Sequence, residues 1–291
     1  MFSFVRRTYH KTMDREAIFL ERDHATEPGE SGRSIRRLAN PEDSQDRCVC
    51  RLETMAAGAS LSGRTVAEET LYVLRGSVQF QAAEQTRTIG PGDFVRVSSR
   101  VPWSIENRGK EEAEVFVLSA FAVDKETAEA ALNEREPFSF RGSGEGKLIG
   151  IVGDVYRMLA TAEETNGRCS IWEATVFTGG GPPTHIHENE DEGFFVLEGE
   201  MQFQAPSGTV MGGPGFFAYL PIGVPHSFRN VGQPVARMLI FTAPGGVEKL
   251  FERAGQVFQT APTEAQPPDE QEIQRLHDLA EEYGIEFIAA R

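Results

Sequence analysis

Three of the chain's six histidines fall into a single two-part pattern. It reads Gly179-x5-His185-x-His187-x4-Glu192-x6-Gly199, then Gly215-x5-Pro221-x-Gly223-x2-His226-x3-Asn230. His185 and His187 stand at i and i+2, so on a strand both side chains point to one face. Glu192 follows five residues later, and His226 arrives from a distant segment just after a Pro221–Gly223 turn. Three neutral imidazole nitrogens and one carboxylate oxygen suit a divalent transition metal: Fe, Mn, Ni, Co or Zn. A His-x-His pair alone is common, but the glycines and prolines of both parts constrain many more positions. A structural zinc site is usually tetrahedral and rich in Cys, and no Cys belongs to this set. An octahedral ion held by these four groups keeps positions open to water, dioxygen or a chelating substrate.

The elements around these residues read as short alternating segments ended by turn signals such as Gly90-Pro91-Gly92-Asp93, which is an all-β pattern. The chain also repeats itself. Tyr72-Val-Leu-Arg-Gly-Ser-Val-Gln-Phe-Gln-Ala82 matches Phe195-Val-Leu-Glu-Gly-Glu-Met-Gln-Phe-Gln-Ala205, 123 residues on. The same offset relates Glu69 to Glu192, Gly76 to Gly199, Gly92 to Gly215, Pro102 to Pro225 and Asn107 to Asn230. Carried back at that offset, His185, His187 and His226 fall on Ser62, Arg64 and Trp103, and only Glu69 keeps its ligand type. The first half is therefore expected to hold no metal. Arg64 is expected to pair with Glu69 and, with Trp103, to plug the former site; a small organic ligand there is the alternative.

The two-part pattern resembles the cupin superfamily, and its repetition resembles the bicupins, in particular quercetin dioxygenase-like proteins. The resemblance implies two tandem jelly-roll β-barrels with short helices after each barrel and at the C-terminus. The expected domains are residues 1–145, with metal ligands lost, and 146–291, with one divalent metal at His185, His187, Glu192 and His226. It further implies a metal-dependent dioxygenase-type oxidoreductase acting on a small organic substrate, aromatic or enolisable. In the resembling quercetin dioxygenases the corresponding Glu is both ligand and catalytic base, and Glu192 inherits both readings. A non-catalytic metal- or ligand-binding cupin, or a decarboxylase or isomerase, stays open, because this fold hosts many chemistries.

Strand parity extends the site. If His226 and Glu192 face inward, so do Phe228, Phe194 and Val196, with Met201 and Phe203 from the next strand. The substrate pocket is thus expected to be apolar, built from Phe194, Val196, Met201 and Phe228. Glu198 and Glu200 are expected on a solvated turn.

At 291 residues, 40% hydrophobic and 25% charged, the chain has room for two domains with real cores. A net charge of −15 argues against nucleic acid or an anionic membrane as partner. No stretch approaches the ~20 apolar residues of a membrane helix, and the N-terminus has no signal-peptide pattern. The three cysteines, Cys48, Cys50 and Cys169, do not form a disulfide framework, and Cys48-x-Cys50 reads as two ordinary strand residues. A cytoplasmic protein with a small-molecule substrate is expected, and homo-oligomerisation is left open. Residues 1–45 are expected to pack on a barrel as a strand or short helix. Helices are predicted over 124–136, within 245–255 and over 269–283, the last with a stripe of Ile273, Leu276, Leu279 and Ala280 stopped by Gly284.

Overall fold

The structure is a computed structural model that describes residues 15–122, 136–232 and 234–288. Apart from Glu136, the helix predicted over 124–136 lies outside the described residues. The repeated alternation seen in the sequence becomes strand burial. Val78, Phe80 and Ala82 turn inward while Gln79 and Gln81 turn out, and Met201, Phe203 and Ala205 repeat this in the second half.

The first barrel is two curled antiparallel sheets. Its large sheet runs, in spatial order, Phe138–Arg141, Phe94–Val97, Glu68–Arg75, Ala113–Ala120, Cys48–Met55, Arg33–Ala39 and Glu27–Pro28. Its small sheet runs Ser60–Gly63, Trp103–Glu106, Val78–Ala82 and Gln85–Ile89. The second barrel repeats the plan. Its large sheet runs Ile18–Leu20, Phe217–Leu220, Asp191–Glu198, Val235–Ala243, Ser170–Phe177, Asp154–Ala160, Leu148–Ile151 and Gln256–Phe258. Opposite lie Gly208–Gly212, Met201–Ala205 and Ser227–Asn230, and the pair His185–His187 with Ile285–Phe287. This is the all-β, two-barrel architecture that the repeat implied.

The central strands of the large sheets are buried on both faces, as Glu68–Val73 and Asp191–Val196 show. One face looks into its own barrel. The other packs against the opposite barrel in a shared core that includes Cys48, Cys50, Phe94, Phe116, Phe195, Phe217, Tyr219 and Phe241. Phe116 of the first barrel lies 5.3 Å, ring to ring, from Phe195 of the second. Cys48 and Cys50 are packing residues here, and burial pushes the Cys48 thiol up to about 12.

Polar ties cross the same junction. Arg47 reaches Asp191 at 2.7 Å, Arg168 reaches Glu68 at 3.7 Å, and the Tyr72 hydroxyl donates to Glu173 at 2.8 Å. The edges are exchanged too. Phe138–Arg141 closes the first large sheet, whereas Ile18–Leu20, from the N-terminal segment, closes the second by pairing with Phe217–Leu220. A division at residue 145 assigns Ile18–Leu20 to the first half, yet its hydrogen bonds are to the second barrel.

Helix Glu248–Ala254 and helix Glu270–Ala280 follow the second barrel. Asp269 caps the latter by accepting from the Glu272 amide at 2.7 Å, and Gly284, at φ 70°, ends the short 3-10 turn after it. Leu276 and Ala280 of the expected stripe are buried, Leu279 is half-buried, and Ile273 in the first turn is exposed. Among the described residues no helix is long and apolar enough to cross a membrane.

Candidate metal centre

His185 and His187 sit on a strand of only three residues, and pairing on both sides holds it. The C-terminal strand binds one edge, with the Glu188 amide donating to Gly284 O at 2.8 Å and the Ile288 amide to Thr184 O at 2.9 Å. On the other edge His185 and His226 exchange backbone bonds, both at 2.9 Å, and the Gly223 amide donates to His187 O. Glu192 is the second residue of the long strand Asp191–Glu198, paired with Thr242 and Leu220. Ligand atoms of His185, His187, Glu192 and His226 thereby come within 4.8 Å of one another, all four residues buried.

The second nitrogen of each ring decides what the site can bind. Nδ1 of His185 lies 3.0 Å from Pro183 O, and that of His226 lies 2.9 Å from Val224 O. Carbonyl oxygens only accept, so each Nδ1 carries the hydrogen and each Nε2 presents a lone pair. Nδ1 of His187 donates likewise to Glu190 Oε1 at 2.7 Å. The Nε2 atoms then converge: those of His185 and His187 are 3.1 Å apart, and Glu192 Oε2 lies 2.9 Å from Nε2 of His226 and 3.3 Å from that of His187. Lone pairs facing one another at such distances repel unless a proton or a metal cation lies among them. Imidazoles oriented through Nδ1 by carbonyls and a carboxylate are the usual support of metal ligands. The donor set fits a divalent transition ion.

Without an ion the electrostatics divide the rings, and a cation must displace a second proton from His187 to gain its Nε2 lone pair. Burial and the neighbouring imidazoles push His185 down to about 3. Burial also opposes charge on His187, but Glu192 and Glu190 outweigh it and hold this ring up at about 10. Burial alone would raise Glu192, yet His187 and His226 hold it well below the usual carboxylate range.

A cavity of about 60 Å³ adjoins the cluster and touches His185, His187 and Glu192. Its walls come from barrel residues including Asp154, Tyr156, Trp172 and Phe228, from Pro182 and Pro183, and from a C-terminal cap. The cap contributes Val247, Leu250, Phe251, Leu276, Ile285 and Phe287. Of the four expected pocket residues, Phe228 lines this cavity. Phe194, Val196 and Met201 lie in the barrel core instead, where the Phe194 ring is 6.1 Å from His226 and 5.4 Å from Phe228. Parity assigns a side chain to the interior but not to a depth. Glu198 and Glu200 are exposed.

Sequence reasoning missed Glu190, although the acidic run after His187 was a signal for it. It also missed Asp191, which ties the Glu192 strand to Arg15, Arg47, Tyr219 and the Ile222 amide. The apolar stripe with Leu276 marked a covering helix, but no sequence signal placed it over this cavity.

In the first barrel the counterpart residues differ from those the constant offset named. The Arg100 amide donates to Thr65 O as the Gly223 amide donates to His187 O. Trp103 pairs with Gly63 as His226 pairs with His185. The counterparts of His185 and His187 are therefore Gly63 and Thr65, not Ser62 and Arg64, because the repeat slips by one residue before Glu69. Arg64 is exposed and donates to Arg100 O at 3.2 Å, so it forms no pair with Glu69. Glu69 instead accepts from Thr65 Oγ1 at 2.9 Å and Ser119 Oγ at 2.8 Å. Trp103 is buried, and a Cβ on Gly63 would stand 2.7 Å from its Nε1, so the indole fills the space a side chain at 63 would take.

Residues 51–119 and 172–242 each match the family model of the cupin domain, and the chain is a tandem cupin, a bicupin. Quercetin 2,3-dioxygenase of Bacillus subtilis (strain 168) is 28% identical over 161 residues. That alignment covers 53% of this chain and 45% of the relative, so it spans less than half of that enzyme. Among solved structures, a putative glyoxylate-induced protein from Pseudomonas aeruginosa superposes with a TM-score of 0.66 at 13% identity, over 81% of this chain and 92% of that one. Oxalate decarboxylase of Lactobacillus farciminis in a formate complex gives 0.59 at 14%, over 83% and 91%. At these identities the two likenesses speak for the fold alone.

Proposed function

We propose that the second barrel holds one divalent transition metal through His185, His187, Glu192 and His226, and that it is a dioxygenase-type oxidoreductase acting on a compact, enolisable oxygen-donor substrate. The observation that carries this is the convergence of three Nε2 atoms and one carboxylate beside a cavity. When bound, the metal supplies Lewis-acid polarisation and open coordination positions. The chain's own residues do the rest. Glu192 is placed to take the proton that an enol or hydroxy-ketone must lose on chelation. Phe228, Phe251, Leu276 and Ile285 keep the reacting end dry and hold an apolar body beside it.

Cavity size refines the substrate. Pockets for drug-sized ligands run to roughly 300–1,000 Å³. At about 60 Å³ the cavity takes a compact ligand, and a multi-ring flavonol requires the C-terminal cap to move. A decarboxylase of small dicarboxylates fits less well, because among the described residues no Arg or Lys lines the cavity to hold a second carboxylate. For the first barrel, with Gly63, Thr65 and Trp103 at the imidazole positions, we propose no metal.

Elemental analysis after reconstitution, followed by oxygen uptake with small hydroxy-ketones and diketones, tests this reading. One metal per chain is expected. Glu192→Gln should retain most of the metal and lose about 10²- to 10⁴-fold in turnover, the range of a removed general base. Two tightly bound metals per chain overturn the assignment to one barrel. A loaded protein that neither consumes oxygen nor alters any chelate overturns the catalytic reading in favour of a binding protein.

A further inference from the structure

Three residues of the His–Glu cluster line the cavity, and a second set of polar groups lines it with them. Asp154, Tyr156 and Met158 alternate inward along the strand Asp154–Ala160, and the first two line the cavity with His185, His187 and Glu192. Asp154 is only 2% exposed, and its Oδ1 has no hydrogen-bond partner among the described residues. Burial raises its pKa to about 7, and backbone hydrogen bonding at Phe177 and Gly181 offsets this only in part. Tyr156 lies tilted at 5.9 Å, ring to ring, from Trp172 and meets Phe251 edge-on at 5.1 Å. Trp172 Nε1, on the same wall, is a buried donor without a partner. Unpaired buried polar groups are uncommon in folded proteins, and each calls for a reason. Two of them, with the Tyr156 hydroxyl on the same small cavity, point to a ligand that pairs with them.

We infer that Asp154 and Tyr156 form a second polar pole of the cavity that selects ligands carrying a hydroxyl away from the metal-binding end. Besides burial, the charges of both Asp154 and Glu192 act on Tyr156, so the phenol stands within electrostatic reach of the acid and of the His–Glu cluster. A carboxyl group can accept from a ligand hydroxyl when ionised and donate to it when protonated, and the phenol adds one donor and one acceptor. The substrate class becomes a compact hydroxy-ketone with a further hydroxyl on its far side. This rests on the chelating substrate proposed above. If Asp154 serves only to brace the 177–181 turn, its removal changes stability and leaves ligand preference alone.

The test uses full-length protein loaded with Zn(II) and two probes with the same chelating end. Kojic acid carries a hydroxymethyl arm, and its deoxy analogue allomaltol carries a methyl in the same place. By titration calorimetry, native protein should bind kojic acid about 10-fold tighter or more, the worth of a hydrogen bond to a buried polar pair. In Asp154→Leu and in Tyr156→Phe that gap should shrink to about 2-fold, with allomaltol affinity and zinc content unchanged. Should the Leu variant fail to fold, Tyr156→Phe carries the test. Equal binding of both probes by native protein overturns this inference and leaves the metal reading intact. A full preference retained in the variants also overturns it. Binding of neither probe by loaded protein overturns the chelation reading beneath it.

Discussion

Glu69 and Glu192 occupy the same place in two barrels built to one plan, and their surroundings show how such a site is kept or lost. In the first barrel two hydroxyls satisfy the carboxylate, Thr65 from one side and Ser119 from the paired strand. Burial raises Glu69, against the pull of Arg51 and these hydroxyls. In the second barrel the residue opposite Glu192 is Thr242, whose Oγ1 is buried without a partner among the described residues, and Glu192 turns to imidazoles. Its pKa is lowered, the reverse of Glu69. One carboxylate is thus stabilised by neutral donors, the other by groups that gather positive charge. The contrast lies in what replaced the three rings: glycine, threonine and a tryptophan large enough to fill the space.

The largest effect should come from the ties that hold both carboxylate strands. Asp191, fully buried, is bound by Arg47 and Arg15, and Glu68 at the matching position is bound by Arg96 at 2.6 Å. Removing one partner of such a pair leaves a buried charge alone. Asp191→Ala and Glu68→Ala should each cost about 3–5 kcal/mol in urea unfolding of metal-free protein. A loss below about 1 kcal/mol for Asp191→Ala would mean that the cross-barrel pair does not anchor the Glu192 strand.

The next test addresses the ligand positions. His226→Ala should weaken metal binding about 100-fold or more, beyond the effect of losing an outer partner, while circular dichroism stays native. Conversely, the combined Gly63→His, Thr65→His and Trp103→His variant should take up a second equivalent of Zn(II). If Ser62→His, Arg64→His and Trp103→His does so instead, the one-residue slip between the repeats is misassigned.

The smallest effect is the most specific to the contrast. Ser119→Ala should cost about 1–3 kcal/mol, because Glu69 loses a buried partner. Thr242→Val should be within about 0.5 kcal/mol of neutral, since its hydroxyl has no partner to lose. Equal losses from the two, by thermal or urea unfolding, would erase the distinction between the carboxylate environments.

Much of this was legible in the residues. The His-x-His spacing, the following Glu and the late His all stand in local segments whose geometry follows from strand alternation. The repeat after Glu69 was legible because a barrel core demands the same apolar rhythm twice. The slip before Glu69 was not, since Gly63, Arg64 and Thr65 lie where no hydrophobic pattern registers a missing residue. Arg64 was misplaced for that reason. Phe194, Val196 and Met201 were assigned to the interior from parity, but which of them borders space and which lies in packed core depends on what caps the barrel. The stripe on helix Glu270–Ala280 showed that it covers something apolar. That Leu276 covers the cavity beside the His–Glu cluster could not be read from it.

By itself, then, the sequence determined the ligand chemistry, the two-fold repetition and the strand character, because short-range sterics and the two-residue period encode them locally. Tertiary structure decided the rest. Lone-pair direction depends on the Pro183 and Val224 carbonyls and on Glu190. Convergence of His226 on Glu192 depends on backbone pairing between segments far apart in the chain. Cavity size depends on a C-terminal strand that adds to the edge of His185–His187. Each rests on long-range register, which no local pattern specifies.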